Sequence, residues 1–102
     1  LEMFYRRLKR NSTPVEGPII LNVQILLKRP KSSKRAYPSV RPDLDNYIKS
    51  VMDAANGVLW VDDGQVVKIN CSKKYDDKRR GLVIGVHSLE PDEVIQDVFY
   101  SL

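Results

Sequence analysis

The sequence predicts an α/β, or α+β, domain in which a small mixed sheet packs with helices. Three observations lead there. IILNVQILL (19 to 27) is rich in β-branched residues and puts Ile19, Leu21, Val23, Ile25 and Leu27 on one face. DLDNYIKSVMDAAN (43 to 56) has helical period, with Tyr47, Ile48, Val51, Met52 and Ala55 in one apolar stripe. QVVKINCSKKY (65 to 75) and LVIGVHSL (82 to 89) alternate again as strands. Strands and helices mix without regular βαβ alternation. The 102 residues suffice for a single domain spanning 1 to 102.

Taken in order, residues 3 to 10 carry Phe4 and Leu8 on one face among basic residues, as the last turns of a helix. NSTPVEGP (11 to 18) is turn-rich and ends it. After the strand at 19 to 27 comes KRPKSSKRAYPSVR (28 to 41), with six basic residues, no acid, two prolines and three serines. No packed element fits that composition, and a surface loop is predicted. It is either a solvated connection or an arm that grasps phosphates, and its place just before the acidic run favours the arm. In the helix at 43 to 56, Asp45 is the expected N-cap. Asn56-Gly57 stops the helix, with Gly57 free to take positive φ. DDKRRG (76 to 81) reads as a hairpin turn between neighbouring strands. PDEVIQDVFY (91 to 100) reads as a closing helix, with Pro91 near its start and acids in its first turn.

Seventeen Lys and Arg against thirteen Asp and Glu give a net charge of +4, a balance that favours a polyanionic partner. Cys71 is the only cysteine, so no intrachain disulfide forms, as expected in a reducing cytoplasm. It falls in an alternating run and reads as a buried strand residue. No apolar run approaches a membrane span. No Walker loop, dinucleotide fingerprint, HExxH or CxxC spacing is present. His87, the only histidine, reads as structural or exposed.

The acids gather at Asp43/Asp45 and Asp62/Asp63. Asp43 and Asp45, two apart at the start of a helix, can turn to one side. A chain reversal after the helix can bring Asp62 and Asp63 back beside them. Converging carboxylates repel unless a cation lies between them. Mg²⁺ or Mn²⁺ suits such oxygens and keeps positions open for phosphate, which makes phosphodiester cleavage the chemistry to expect. Lys49, one helical turn after Asp45, can reach the same spot and hold the scissile phosphate. Each residue also has a plain reading: Asp45 as a cap, Asp43 as a first-turn acid, Asp62/Asp63 as turn residues, Lys49 as a helix-surface partner of Asp45 or Asp53, and Asp53 as a surface residue.

RPDLDNYIKSVMDAANG, followed by VLWVDDGQVV and KINCSKKY, resembles the RusA-type endodeoxyribonucleases, a family of Holliday-junction resolvases typical of phages and prophages. The likeness runs from the strand at 19 to the strand ending near 88. It implies a homodimer that nicks four-way DNA junctions symmetrically with Mg²⁺ (or Mn²⁺), in the cytoplasm of a bacterial host. By position it implies Asp43, Asp45 and Asp63 as catalytic metal ligands, Asp62 as a further ligand and Lys49 as the active-site lysine. Asn46 and Gln65 are implied as supports through hydrogen bonds. The expected DNA contacts are Lys28, Arg29, Lys31, Lys34, Arg35 and Arg41, with Lys73 and Lys74. Members usually begin with a strand and loop before the first helix, whereas this chain opens partway into that helix, so either that segment is absent or the numbered chain covers only the ordered part. Two other readings stay open: a nuclease for other branched DNA such as flaps, and a non-catalytic DNA-binding module.

Overall fold

In the computed structural model, residues 14–35, 37–41 and 43–101 are described, with the side chains of 93–96 excepted. The helix expected at 3 to 10 lies outside the described residues. The elements are β1 (Ile19–Leu27), α1 (Leu44–Ala55), a 3-10 turn (Asp63–Gln65), β2 (Val66–Tyr75), β3 (Gly81–Leu89) and β4 (Asp92–Ser101). They form one four-stranded mixed sheet, ordered β2-β1-β3-β4, an α+β arrangement.

β1 lies inside the sheet because both of its edges are used. It pairs in parallel with β2 and antiparallel with β3. Parallel neighbours need a crossover, and α1 with its flanking loops provides it. Ile19, Leu21, Val23 and Ile25 are buried, and the register places Ile84, Leu82 and Val86 of β3 beside them. Val51 and Ala55 of α1 and the indole of Trp60 complete this core. Asp43, not Asp45, occupies the N-cap of α1, and it makes no side-chain cap bond. The helix starts there because Asp43 has extended backbone angles and its carbonyl oxygen accepts the N–H groups of Asn46 and Tyr47. Asp45 therefore sits in the first turn, where a carboxylate favours the positive end of the helix dipole. At the far end Gly57 has φ +77°, and its N–H donates to the Trp60 carbonyl at 2.7 Å.

Two expectations are corrected. Residues 76 to 80 do not form a tight hairpin, because β1 lies between β2 and β3. The segment instead passes over the end of β1, where the Asp76 N–H donates to the Leu27 carbonyl at 2.9 Å. The chain does not close with a helix either. Residues 92 to 101 form β4, antiparallel to β3, with Leu82 opposite Tyr100 and Ile84 opposite Val98. Val94, Ile95, Val98, Phe99 and Tyr100 suit a strand, and the outer edge of β3 offers them backbone partners on both sides of a register shift between Ile84 and Val86. Pro91 marks the reversal between β3 and β4. Gly81 is required at the start of β3: a Cβ there would lie 2.2 Å from the Tyr100 carbonyl oxygen.

Candidate active site

α1 carries Asp45, Lys49 and Asp53 at i, i+4 and i+8, one stripe along the helix. Asp45 is exposed, and its Oδ1 accepts the Asn46 backbone N–H at 3.0 Å. Lys49 is exposed and forms no ion pair with a described residue, so the surface salt bridge to Asp45 or Asp53 is not made.

The opposite wall is held by the core. Trp60 is fully buried, and its Nε1–H donates to Asp63 Oδ1 at 2.7 Å. Asp62 caps the 3-10 turn: its carboxylate accepts the Gly64 N–H at 3.0 Å, while its own N–H donates to Gln65 Oε1 at 2.7 Å. The Gln65 Nε2 reaches across to donate to the carbonyls of Val15 and Gly17, both at 2.8 Å. One side chain thus ties the acidic turn to the segment that leads into β1. The bonds within the turn follow from a local rule, since Asp62 and Gln65 satisfy each other as a capping box.

Between these walls lies an open cavity of about 680 Å³. Asp45, Lys49, Asp53 and Asp63 line it with Ile48, Met52 and Cys71 as an apolar floor. The structure therefore brings Asp45, Lys49 and Asp63 to one place. Asp43 and Asp62 do not line the cavity, and among the described residues no group of three His, Cys, Asp or Glu side chains could by itself hold a metal ion. Asn46 is exposed beside Asp45 and makes no side-chain bond to a described residue. Cys71 is half-buried on the cavity wall rather than in the closed core. His87 is bonded to Asp92 at the β3–β4 end.

The expected DNA contacts are scattered by comparison. Lys28, Lys31, Lys34, Arg35 and Arg41 are exposed on a loop with only a short turn in it, where the Ser33 N–H donates to the Pro30 carbonyl. Arg29 stacks over Tyr75 at 5.7 Å and pairs with Asp77 at 3.6 Å. Lys73 Nζ donates to the Val40 carbonyl at 2.7 Å, pinning the end of the loop to β2, and Lys74 is half-buried. Asp53, which lines the cavity, and Trp60, which holds Asp63 from behind it, were not assigned to the site from the sequence. Asp53 was readable from its spacing of four from Lys49. The hold of Trp60 on Asp63 was not readable, since it depends on where the core places the indole.

The family model described as endodeoxyribonuclease RusA matches residues 1–87. An uncharacterized protein of Bacillus subtilis (strain 168), YqaN, is 36% identical over 83 residues, which cover 70% of this chain and 58% of YqaN. The chain thus spans little more than half the length of the curated relative it matches. No solved structure matches it.

Proposed function

The chain belongs to the endodeoxyribonuclease RusA family, and from that premise we propose that it is a Mg²⁺-dependent endonuclease that resolves four-way DNA junctions as a homodimer. The observation that carries this reading is the single cavity into which Asp45 and Lys49 project from α1 and Asp63 from the facing turn. These are three of the polar positions of the family-like motif, separated in sequence and joined only by the fold.

The donor set fits Mg²⁺. That ion is commonly held by one or two carboxylates, with waters and substrate phosphate oxygens completing its shell. Asp45 and Asp63 would hold it, without a cage of three protein acids. When bound, it supplies Lewis-acid polarisation of the phosphoryl oxygen and neutralises the facing carboxylates. The remaining work falls to the chain itself. Trp60 fixes one oxygen of Asp63 on the cavity wall, and the other forms no hydrogen bond to a described residue. Lys49, which forms no ion pair with a described residue, places its ammonium against the charge that develops on the phosphate as water attacks phosphorus and the P–O bond to the leaving strand breaks. The carboxylate of Asp62 is engaged by Gly64, which suits a structural role better than ligation. Asp43 stands exposed at the N-cap of α1, outside the cavity lining.

A dimer follows from the substrate: a four-way junction is resolved by two nicks related by symmetry, which a two-fold pair of sites delivers. The decisive experiment is a divalent-metal titration with synthetic four-way, flap and linear duplex DNA. Paired nicks in the junction that depend on Mg²⁺ are expected, with Mn²⁺ able to substitute. Preferential cutting of flaps would move the reading to another branched substrate. Tight binding without cutting in either metal would make the chain a DNA-binding module.

A further inference from the structure

The cavity leaves one strongly charged feature unexplained, the segment 76 to 80 that crosses from β2 to β3. A concavity of about 250 Å³ lies there, lined by Lys28, Asp76, Asp77, Lys78, Arg79 and Arg80. Four cations against two carboxylates leave it net positive. The two acids are already engaged. Asp76 Oδ1 accepts the backbone N–H groups of Lys78 and Arg79, both at 2.8 Å. Those two N–H groups hold its carboxyl below the ordinary value of 3.8. Asp77 pairs with Arg29. Arg79 is planted over the Phe99 ring at 5.0 Å. The backbone of the turn is therefore fixed, while the exposed side chains of Lys78 and Arg80 make no ion pair with a described residue.

Its position relative to the cavity gives this charge a use. β2 begins directly after the turn that bears Asp63 and ends at Tyr75, one residue before the basic segment. At about 3.3 Å per residue, its ten residues set the two sites about 30 Å apart. B-form DNA returns the same strand to the same side about every 34–36 Å. β2 is also an edge strand, with Lys68 and Asn70 exposed along it. We propose that the 76 to 80 segment, with Lys28, is a second phosphate-binding site, gripping the backbone of a duplex arm about one helical turn from the phosphate presented to Asp63. The proposal rests on the reading of the chain as a DNA nuclease and extends it to how an arm is aligned.

The test pairs a protein change with a DNA change. The Lys78→Ala/Arg80→Ala variant spares Arg79 and Asp76, and so the internal bonds of the turn. Four-way junctions are made with neutral methylphosphonate linkages about 8 to 10 base pairs from the branch, or about 15 to 17 as a control. Binding is measured over a salt series, and nicking is read on the same samples. On unmodified junctions the variant should flatten the log–log salt slope by about 1.8, two contacts at about 0.9 each. The proximal methylphosphonates should flatten the wild-type slope in the same way and add nothing to the variant; the distal ones should do nothing. An unchanged slope in the variant, or additive effects of the two changes, overturns the proposal, and it does so without touching the nuclease reading if the wild type still nicks. A non-additive pair in a protein that nicks no substrate keeps the second phosphate site and removes the nuclease.

Discussion

The two walls of the cavity are built in opposite ways. The wall from Trp60 to Gln65 is fastened: Asp63 to a buried indole, Asp62 to Gly64, and Gln65 to the carbonyls of Val15 and Gly17. The wall from Asp45 to Lys49 is not. Its charged side chains are exposed, and among the described residues their one hydrogen bond joins Asp45 to the next residue's N–H. The difference teaches where preorganisation resides. An electrostatic site is most effective when its groups need not reorganise during the reaction. Here one carboxylate is set by the core before substrate arrives, and the other carboxylate and the lysine are placed only by the helix that carries them. Changes on the fastened wall should therefore disturb stability and rate together, and changes on the open wall should disturb rate alone.

The largest expected effect is loss of the fastened carboxylate's charge. Asp63→Asn keeps an oxygen for the Trp60 N–H, so the fold should persist, while the cation loses an anionic ligand. Mg²⁺-dependent nicking should be abolished, with junction binding retained or tightened because negative charge near phosphate is removed. Asp43→Asn is the matched change outside the cavity. A residual rate for Asp43→Asn well above that of Asp63→Asn would confirm that ligation is confined to the cavity. Equal loss in both would bring Asp43 into the metal site when DNA is bound. Single-turnover cleavage at saturating enzyme and metal measures it.

The next effect, on the open wall, is that of Lys49→Ala. The side chain is exposed and unpaired among the described residues, and it lies off the apolar stripe that packs α1 on the sheet. Its removal should change stability by well under about 1 kcal/mol. The nicking rate should fall by roughly a hundredfold, comparable to losing one donor to a developing oxyanion. A rate within about threefold of the parent, below about 0.7 kcal/mol in barrier, would reduce Lys49 to a surface charge and leave the open wall with Asp45 and Asp53.

What could be read from the sequence divides along similar lines. β1 and the body of α1 were legible because their patterns are local and unopposed: alternation over residues 19 to 27, and a 3.6-residue stripe through Val51 and Ala55. The closing strand was misread because acids just after a proline imitate a helix start, whereas the free edge of β3 decided the outcome. The hairpin was misread because β2 and β3 are consecutive in sequence but separated by β1 in the sheet, and adjacency of that kind is a property of the whole sheet. Within the site, the motif named Asp43, Asp45, Asp62, Asp63 and Lys49, and the fold lines one cavity with three of them, Asp45, Lys49 and Asp63. The resemblance set Asp63 among the catalytic acids and Asp62 beside them, but the physical difference between the two was not legible, since it depends on a buried indole bonded to one and a backbone N–H bonded to the other. The N-cap slipped by two residues because Asp43 and Asp45 are chemically equivalent candidates, and only backbone angles distinguish them.

The smallest effect on rate should come from Gln65, and it separates the two walls most clearly. Gln65→Ala removes one acceptor from the Asp62 N–H and one amide from the carbonyls of Val15 and Gly17. No catalytic group is touched. Intramolecular hydrogen bonds of this kind each contribute about 0.5–1.5 kcal/mol, and part of the site is reachable by water, so a loss of about 1 to 3 kcal/mol in urea denaturation is expected. The Asp62–Asp63 turn would then be free to shift on its hinge to β2. A displacement of about 1 Å in a reacting group can cost up to a hundredfold. Trp60 still holds Asp63, so the loss should stop near tenfold, and higher Mg²⁺ should recover part of it by drawing Asp63 back to the cation. Gln65→Glu is the sharper partner, because it keeps the Oε1 acceptor for Asp62 and turns the donor to Val15 and Gly17 into a second, negatively charged acceptor. If Gln65→Glu matches Gln65→Ala in both stability and rate, the tether to the segment before β1 is what holds the wall. If it matches the parent in rate but not in stability, the capping box alone aligns Asp63. Should neither variant change the denaturation midpoint while both slow nicking, the fastened wall would behave like the open one, and the contrast between them would fail.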